Sequence, residues 1–213
     1  MSTPILYSFR RCPYCMRAHM TLLNSGIKTE LREVDIDNMP EQVISISPKA
    51  TVPILVFPDG TFIDESWDIV KWALTQNDPD NWLGQGKVYL LDAEMLIETN
   101  DFSFKEDLDH YKYADRYPEQ SAEFYRAACE EFIEELEEKL NDHDYLLGDA
   151  VSLADIGVFP FIRQFSLVDK DWFDQAPYPN VQRWLQNIID SALFKNVFRK
   201  HALWKTGDKT IFI

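Results

Sequence analysis

Cys12-Pro13-Tyr14-Cys15 follows a short apolar, strand-like run and stands immediately before a helix-like pattern. Two thiols three positions apart at the first turn of a helix place one sulfur at the positive end of the helix dipole and the other within disulfide reach, which suits thiol redox chemistry. The junction also ties the fold to a strand that runs directly into a helix.

The elements that follow repeat this arrangement. Pro4 to Phe9 suits a buried strand, and Pro13 to Ser25 carries Met16, Met20 and Leu23 at helical spacing before Gly26. Lys28 to Val34 alternates as a second strand, and Pro40 to Ile46 suits a short helix that stops before Pro48. Pro53 to Phe57 and Thr61 to Ile63 flank the turn sequence Pro58-Asp59-Gly60, and Ser66 to Leu74 closes the unit as a helix. The order β-α-β-α-β-β-α predicts one mixed sheet covered by helices, a thioredoxin-like α/β domain over residues 1–76.

Asn77, Pro79, Asn81, Gly84 and Gly86 cluster where this alternation ends, so residues 77–87 read as a linker. No convincing strand follows Lys87, and residues 88–213 read as an all-helical domain. Within it, Pro118 to Leu140 sets Cys129, Ile133, Leu136 and Leu140 on one stripe. Its dense acidic run, Glu130 to Glu138, reads as a solvated helix face. Ser152-Leu153-Ala154-Asp155 is a capping box opening a buried helix, in which Pro160 predicts a kink or local disruption, and Pro179 to Ile189 is a further amphipathic helix.

Composition narrows the function classes. The 213 residues are 46% apolar and 27% charged, enough for a globular chain of one large or two small domains. Three cysteines leave an odd one after any pairing, so a disulfide framework is excluded and a reducing cytoplasm is the expected setting. The N-terminus has no charged segment followed by an apolar signal core, and no apolar stretch approaches membrane-spanning length. Residues 1–78 carry seven basic against ten acidic side chains, and 79–213 carry fourteen against twenty-six, for a total of −15. Such acidity repels phosphate backbones and anionic headgroups, which argues against nucleic acid or membrane as a general partner.

Three sites carry chemistry. A thiol at a helix N-terminus can lose several units of pKa, with Arg10 and Arg11 adding positive charge beside it, so Cys12 is the expected nucleophile. Cys15, one turn into the helix, is placed to resolve a mixed disulfide, with packing as a small apolar residue as the alternative. A zinc half-site would need a second pair of ligands, whereas Cys129 is solitary and His19, His110, His143 and His201 are scattered without a metal-binding rhythm. In Thr51-Val52-Pro53, a cis proline would leave the Val52 amide and carbonyl open to an extended peptide. A trans proline that merely opens a strand is the alternative. At the next strand-to-helix junction, Ser66 and free amides can hold a carboxylate and Glu65 an amine, with a plain helix cap as the alternative reading.

Taken together, Cys12-Pro13-Tyr14-Cys15, Thr51-Val52-Pro53, Glu65-Ser66 and the later Ser152-Leu153-Ala154-Asp155 resemble the cytosolic glutathione transferase superfamily over nearly the whole chain. The cysteine pair resembles glutaredoxins, including the two-domain kind that share the transferase architecture. The resemblance implies glutathione as cosubstrate and no metal. Cys12 would face its sulfur, Val52 would pair with its cysteinyl backbone, and Pro53 would be cis. Glu65 with Ser66 would hold the γ-glutamyl end, and Lys49 the glycyl carboxylate. Tyrosine- and serine-type members activate glutathione with a hydroxyl near the end of the first strand, where Tyr7 and Ser8 stand; the Cys12 position resembles cysteine-type members instead. Omega-like members carry a Lys-Pro-Glu sequence where this chain has Met39-Pro40-Glu41, a departure from that class.

The resemblance implies a glutathione-dependent thiol transferase or disulfide reductase. Conjugation of glutathione to small electrophiles is the first alternative and a noncatalytic binding or regulatory protein the second. It further implies a homodimer and an electrophile or disulfide pocket between the domains, near Phe102, Phe104 and Tyr111, for which a place in the core is the favoured alternative.

Overall fold

A computed structural model describes residues 3–84 and 87–213. Met1 and Ser2, which enter the N-terminal argument, and Gly86, one of the linker's chain breakers, lie outside the described residues. Contacts divide the chain into two compact units, one running through Asp80 and regaining Ser191–Ile213, the other being Asn81–Asp190.

The first unit begins β1 (Ile5–Ser8), α1 (Pro13–Asn24), β2 (Glu30–Glu33) and α2 (Glu41–Ile46). It continues with β3 (Ile54–Val56), β4 (Phe62–Ile63) and α3 (Ser66–Gln76), the predicted order. β1 pairs parallel with β2 and antiparallel with β3, which pairs antiparallel with β4. Side chains alternate across a strand, so Leu6 and its register partners Leu31 and Leu55 share one face. There they pack with Ala18 and Leu22 of α1 and Ile69 and Ala73 of α3. Tyr7 and its partner Ile54 turn to the opposite face, where Val34 and Val43 complete a second cluster. Both faces of the sheet are thereby covered, and the end of β1, the start of β3 and the end of β4 lie at the same edge of the sheet, the edge from which the chain enters α1 and α3.

Local chemistry sets the junctions. α1 ends at Ser25, and Gly26 follows with a φ of 65°, a region that costs glycine little. The β3–β4 turn closes through Gly60 N–H to the Phe57 carbonyl at 3.0 Å, with Asp59 Oδ1 accepting from the Thr61 amide at 2.9 Å.

The second unit holds α4 (Lys87–Thr99), which continues as a wider π-helical turn over Asn100–Phe104, then α5 (Lys105–Lys112) and α6 (Ala122–Lys139). It closes with α7 (Leu153–Ser166), α8 (Lys170–Phe173) and α9 (Pro179–Asp190). α7 is nearly all buried, and the helix runs on across Pro160. Its capping box forms as expected: Asp155 receives the Ser152 amide at 2.8 Å and the Ser152 hydroxyl, while Ser152 Oγ accepts from the Asp155 amide. Asp155 also accepts from Leu146 N–H at 2.9 Å and from the Trp184 indole at 2.7 Å. Among the described residues no helix is long and apolar enough to cross a membrane.

One expectation is corrected. Residues 88–213 are not wholly one helical domain, because after α10 (Ala192–Val197) the chain supplies β5 (Ile211–Phe212). β5 pairs antiparallel with β2, giving the order β4-β3-β1-β2-β5. The physical reason is the β2 edge, whose unpaired amides and carbonyls need a partner. A two-residue strand is too short to show alternation in the sequence.

Candidate functional site

Cys12 is the N-cap of α1, with extended backbone (φ −75°, ψ 123°), and Pro13 takes the first helical position, where a missing amide hydrogen costs nothing. The Cys12 side chain makes no capping bond to its own helix. Its half-buried thiol instead lies 3.8 Å from the Val52 carbonyl, directly before the cis Val52-Pro53 bond. No backbone partner for the Val52 amide occurs among the described residues.

Cys15 differs sharply from its neighbour. At 1% exposure its sulfur accepts the Phe9 amide at 3.3 Å. Burial pushes its pKa well above the ordinary thiol value, reinforced by the Cys12 sulfur beside it and opposed by bonds from Phe9 and Ser8.

The third predicted site divides into two. Glu65, the N-cap of α3, makes no side-chain cap and reaches outward to Lys49 Nζ at 2.5 Å. Lys49 also pairs with Asp64 at 3.2 Å, whose other oxygen accepts from Ser47 Oγ at 2.6 Å. The lysine expected at a glycyl carboxylate thus rests on two protein carboxylates, and these bonds, Glu65 foremost, raise its pKa. Ser66 is buried and turns inward, where its hydroxyl accepts from Arg17 Nε at 3.0 Å and Nη2 at 2.9 Å. Arg17, itself buried, lies over the rings of Tyr14 at 5.1 Å and Trp67 at 5.4 Å. Sequence reasoning missed Arg17. Its one signal is a charged residue on the otherwise apolar part of α1, five positions after Cys12.

The open start of α1 beside a cis proline, on a mixed sheet followed by a helical unit, can be set against known proteins. The family model for the glutathione S-transferase N-terminal domain matches residues 6–82, and that for the glutathione S-transferase C-terminal domain matches 115–187. The chain belongs to the glutathione transferase superfamily. It is 21% identical to glutathione S-transferase DHAR3, chloroplastic, of Arabidopsis thaliana, an alignment covering 87% of this chain and 68% of that one. Identity to glutathione S-transferase omega-1 of Mus musculus is 26%, over 84% and 74% of the two chains. The fold matches a glutathione S-transferase of Methylobacillus flagellatus, solved with glutathione bound, at a TM-score of 0.79. That pair is 22% identical and covers 92% of this chain and 98% of the other.

Within a glutathione transferase, the hydroxyls near the end of β1 are the rival candidates to Cys12. Tyr7 is 2% exposed, and its hydroxyl accepts from Arg32 Nη1 at 2.7 Å. Ser8 is equally buried and its hydroxyl bonds Cys15. Of the residues expected near a second-substrate pocket, Phe104 and Tyr111 belong to the core of the helical unit. Phe104 packs on Phe132 at 5.2 Å and Tyr111 on Phe165 at 5.7 Å. Phe102 is 72% exposed. Cys129 is buried on α6, which pushes its thiol far up. No group of three or more His, Cys, Asp or Glu side chains suited to a metal ion occurs among the described residues.

Proposed function

We propose that this chain is a glutathione-dependent thiol transferase whose Cys12 forms a mixed disulfide with glutathione. The observation that carries the reading is the contrast at the end of β1. Tyr7 and Ser8 are sealed and engaged, whereas the Cys12 sulfur sits half-buried at an open helix start, 3.8 Å from the Val52 carbonyl. Family membership supports glutathione as the cosubstrate.

The Val52 amide and carbonyl are suited to the cysteinyl backbone of glutathione, as an added antiparallel strand would be held. Ser66 is suited to its γ-glutamyl carboxylate. A hydroxyl has two acceptor positions and one proton. With both Arg17 N–H groups on its oxygen, Ser66 keeps the proton to donate, next to the free amides of α3. Glu65 and Lys49 form an exposed pair of opposite charges suited to the amine and the glycyl carboxylate.

In the reaction, the Cys12 thiolate attacks the glutathione sulfur of a glutathionylated substrate. A Cys12–glutathione disulfide forms, and the substrate sulfur leaves as a thiolate that takes a proton from water. Cys12 is then freed when a second glutathione thiolate attacks the same sulfur, giving glutathione disulfide. Cys15 remains a protonated thiol at neutral pH because of its burial, so the second glutathione is the better resolving group.

Reduction of a glutathione mixed disulfide tests this directly. Cys12→Ser is expected to lose at least about a hundredfold in kcat/KM, since a covalent step disappears. Full activity in that variant would overturn the assignment. Superfamily membership supports conjugation to electrophiles as the second reading, and turnover of a chromogenic aryl halide well above the reductase rate would favour it. Failure to bind immobilised glutathione would point to a noncatalytic role.

A further inference from the structure

A ring of contacts encloses the turn that leads into Cys12. The Arg10 guanidinium lies 4.5 Å over the Phe198 ring and donates to the Phe198 carbonyl at 3.4 Å. The Arg10 amide donates to Glu33 Oε1 at 2.8 Å, and the Glu33 carbonyl accepts from the Trp204 amide at 2.7 Å. Phe198 and Trp204 lie in one short stretch, so the ring runs from Phe198 through Arg10 and Glu33 to Trp204 and back along the chain. Arg10 precedes Cys12 by two residues, and Glu33 stands opposite Ser8 in the β1–β2 register.

This stretch is pinned at both ends. Phe198 stacks on Phe194 of α10 at 5.3 Å, and α10 packs against α1. Trp204 meets Tyr7 edge-on at 5.9 Å with the Arg32 guanidinium 4.4 Å over its ring, and beyond it β5 completes the sheet on β2. Glu33 is mostly buried, a costly place for a carboxylate, and the Arg10 amide and charge offset that cost. Within the turn, Cys12 N–H also donates to the Phe9 carbonyl at 2.9 Å and Phe9 N–H to Cys15 Sγ. Neither holds Arg10.

We propose that the C-terminal strap sets the position of the Cys12 turn, with Glu33 and Arg10 as positioning residues for the Cys12 sulfur. The proposal rests on reading Cys12 as the nucleophile. A misplacement of about 1 Å at a reacting group can cost on the order of a hundredfold in rate, so a side-chain hold on the residue two positions away is enough to matter.

The test is the rate of Cys12 alkylation by iodoacetamide in the full chain, followed by intact mass between pH 4 and 9. The charged and titratable groups of the ring are Glu33 with Arg10, and Arg32 over Trp204 with its partner Glu30; His201, within the stretch from Phe198 to Trp204, acts with His19 and Arg199. Glu33→Ala and Trp204→Ala are each expected to slow alkylation at pH 7 at least threefold, through an upward shift in the midpoint of the pH profile. Glu33→Gln, whose amide oxygen can accept the same Arg10 N–H, is expected to stay within twofold of the parent. A parental profile in Glu33→Ala overturns the proposal. So does a Glu33→Gln profile displaced as far as that of Glu33→Ala, which would assign the effect to charge. If Glu33→Ala does not fold, Phe198→Leu keeps the apolar filling and removes the ring beneath Arg10. The same slowing is expected there, and an unchanged profile overturns the proposal. A parent chain whose Cys12 resists alkylation throughout would sink the nucleophile reading instead.

Discussion

The start of α7 in the second unit and the starts of α1 and α3 in the first are built in opposite ways. At α7, Ser152 and Asp155 turn inward and consume one another's bonding capacity, and Asp155 goes on to take the Leu146 amide and the Trp184 indole. At α1 and α3 the N-cap residues are Cys12 and Glu65, and neither side chain caps its own helix. A helix start that closes on itself stabilises the fold, whereas one left open keeps its dipole and amides for an incoming anion. The N-cap position is therefore spent on the fold at α7 and left open at α1 and α3.

That contrast breaks most visibly at Asp155. Asp155→Ala leaves at least the Leu146 amide, the Ser152 amide and the Trp184 indole without their acceptor, each worth about 1–3 kcal/mol when buried. Urea unfolding should register a loss of roughly 3 kcal/mol or more, and a loss below about 1 kcal/mol would show that α7 is not sealed as described.

Next in size is a pH effect within α1, which is open at Cys12 and closed one turn beyond Cys15. His19 is buried there with no hydrogen-bond partner for Nε2 among the described residues, and burial, with His201 nearby, lowers its pKa to about 4 from 6.5. Between those values the unfolded chain binds more protons than the folded one, so stability is complete above pH 6.5 and declines as pH falls toward 4. At about 1.4 kcal/mol per unit the decline is on the order of 3 kcal/mol. Denaturation midpoints of the parent and of His19→Leu, compared at pH 7.5 and 5, should show the larger fall in the parent.

A smaller effect compares the two kinds of cap. Ser152→Ala should cost about 1–2 kcal/mol of stability, as a lost N-cap does, whereas Glu65→Ala should cost under about 0.5 kcal/mol and instead raise the KM for glutathione. Equal stability losses in the two variants would erase the distinction. Least of all should change in Cys15→Ser, for which deglutathionylation within about twofold of the parent is expected, because a buried thiol of raised pKa contributes little thiolate. A loss as deep as that of Cys12→Ser would instead require a dithiol route.

Much of this was legible from short-range patterns. The β-α-β-α-β-β-α order follows from apolar periodicity and from Gly26 and Gly60, which sit where the chain takes positive φ. Cys12 at the helix start and the capping box each lie within a few residues of the signals that announce them, whereas Thr51-Val52-Pro53 leaves cis and trans open until the family resemblance implies the cis form. Arg17 on Ser66, Lys49 on Glu65 and Asp64, and Trp204 on Glu33 carry no such signal. Lys49 reads as a ligand for a carboxylate and does find carboxylates, but those of the protein.

The sequence by itself determined the local events: where strands give way to helices, which residues close the start of α7, and which thiol stands at an open end. These depend on backbone dihedral preferences and on periodicities of two and 3.6 residues, which a window of several residues contains in full. Only the tertiary structure decided which polar groups meet across the first unit and that the end of the chain would return to it. A sheet edge takes whatever strand the packing brings alongside, and a buried charge takes whichever partner the surrounding helices supply; both are settled by the geometry of the assembled unit.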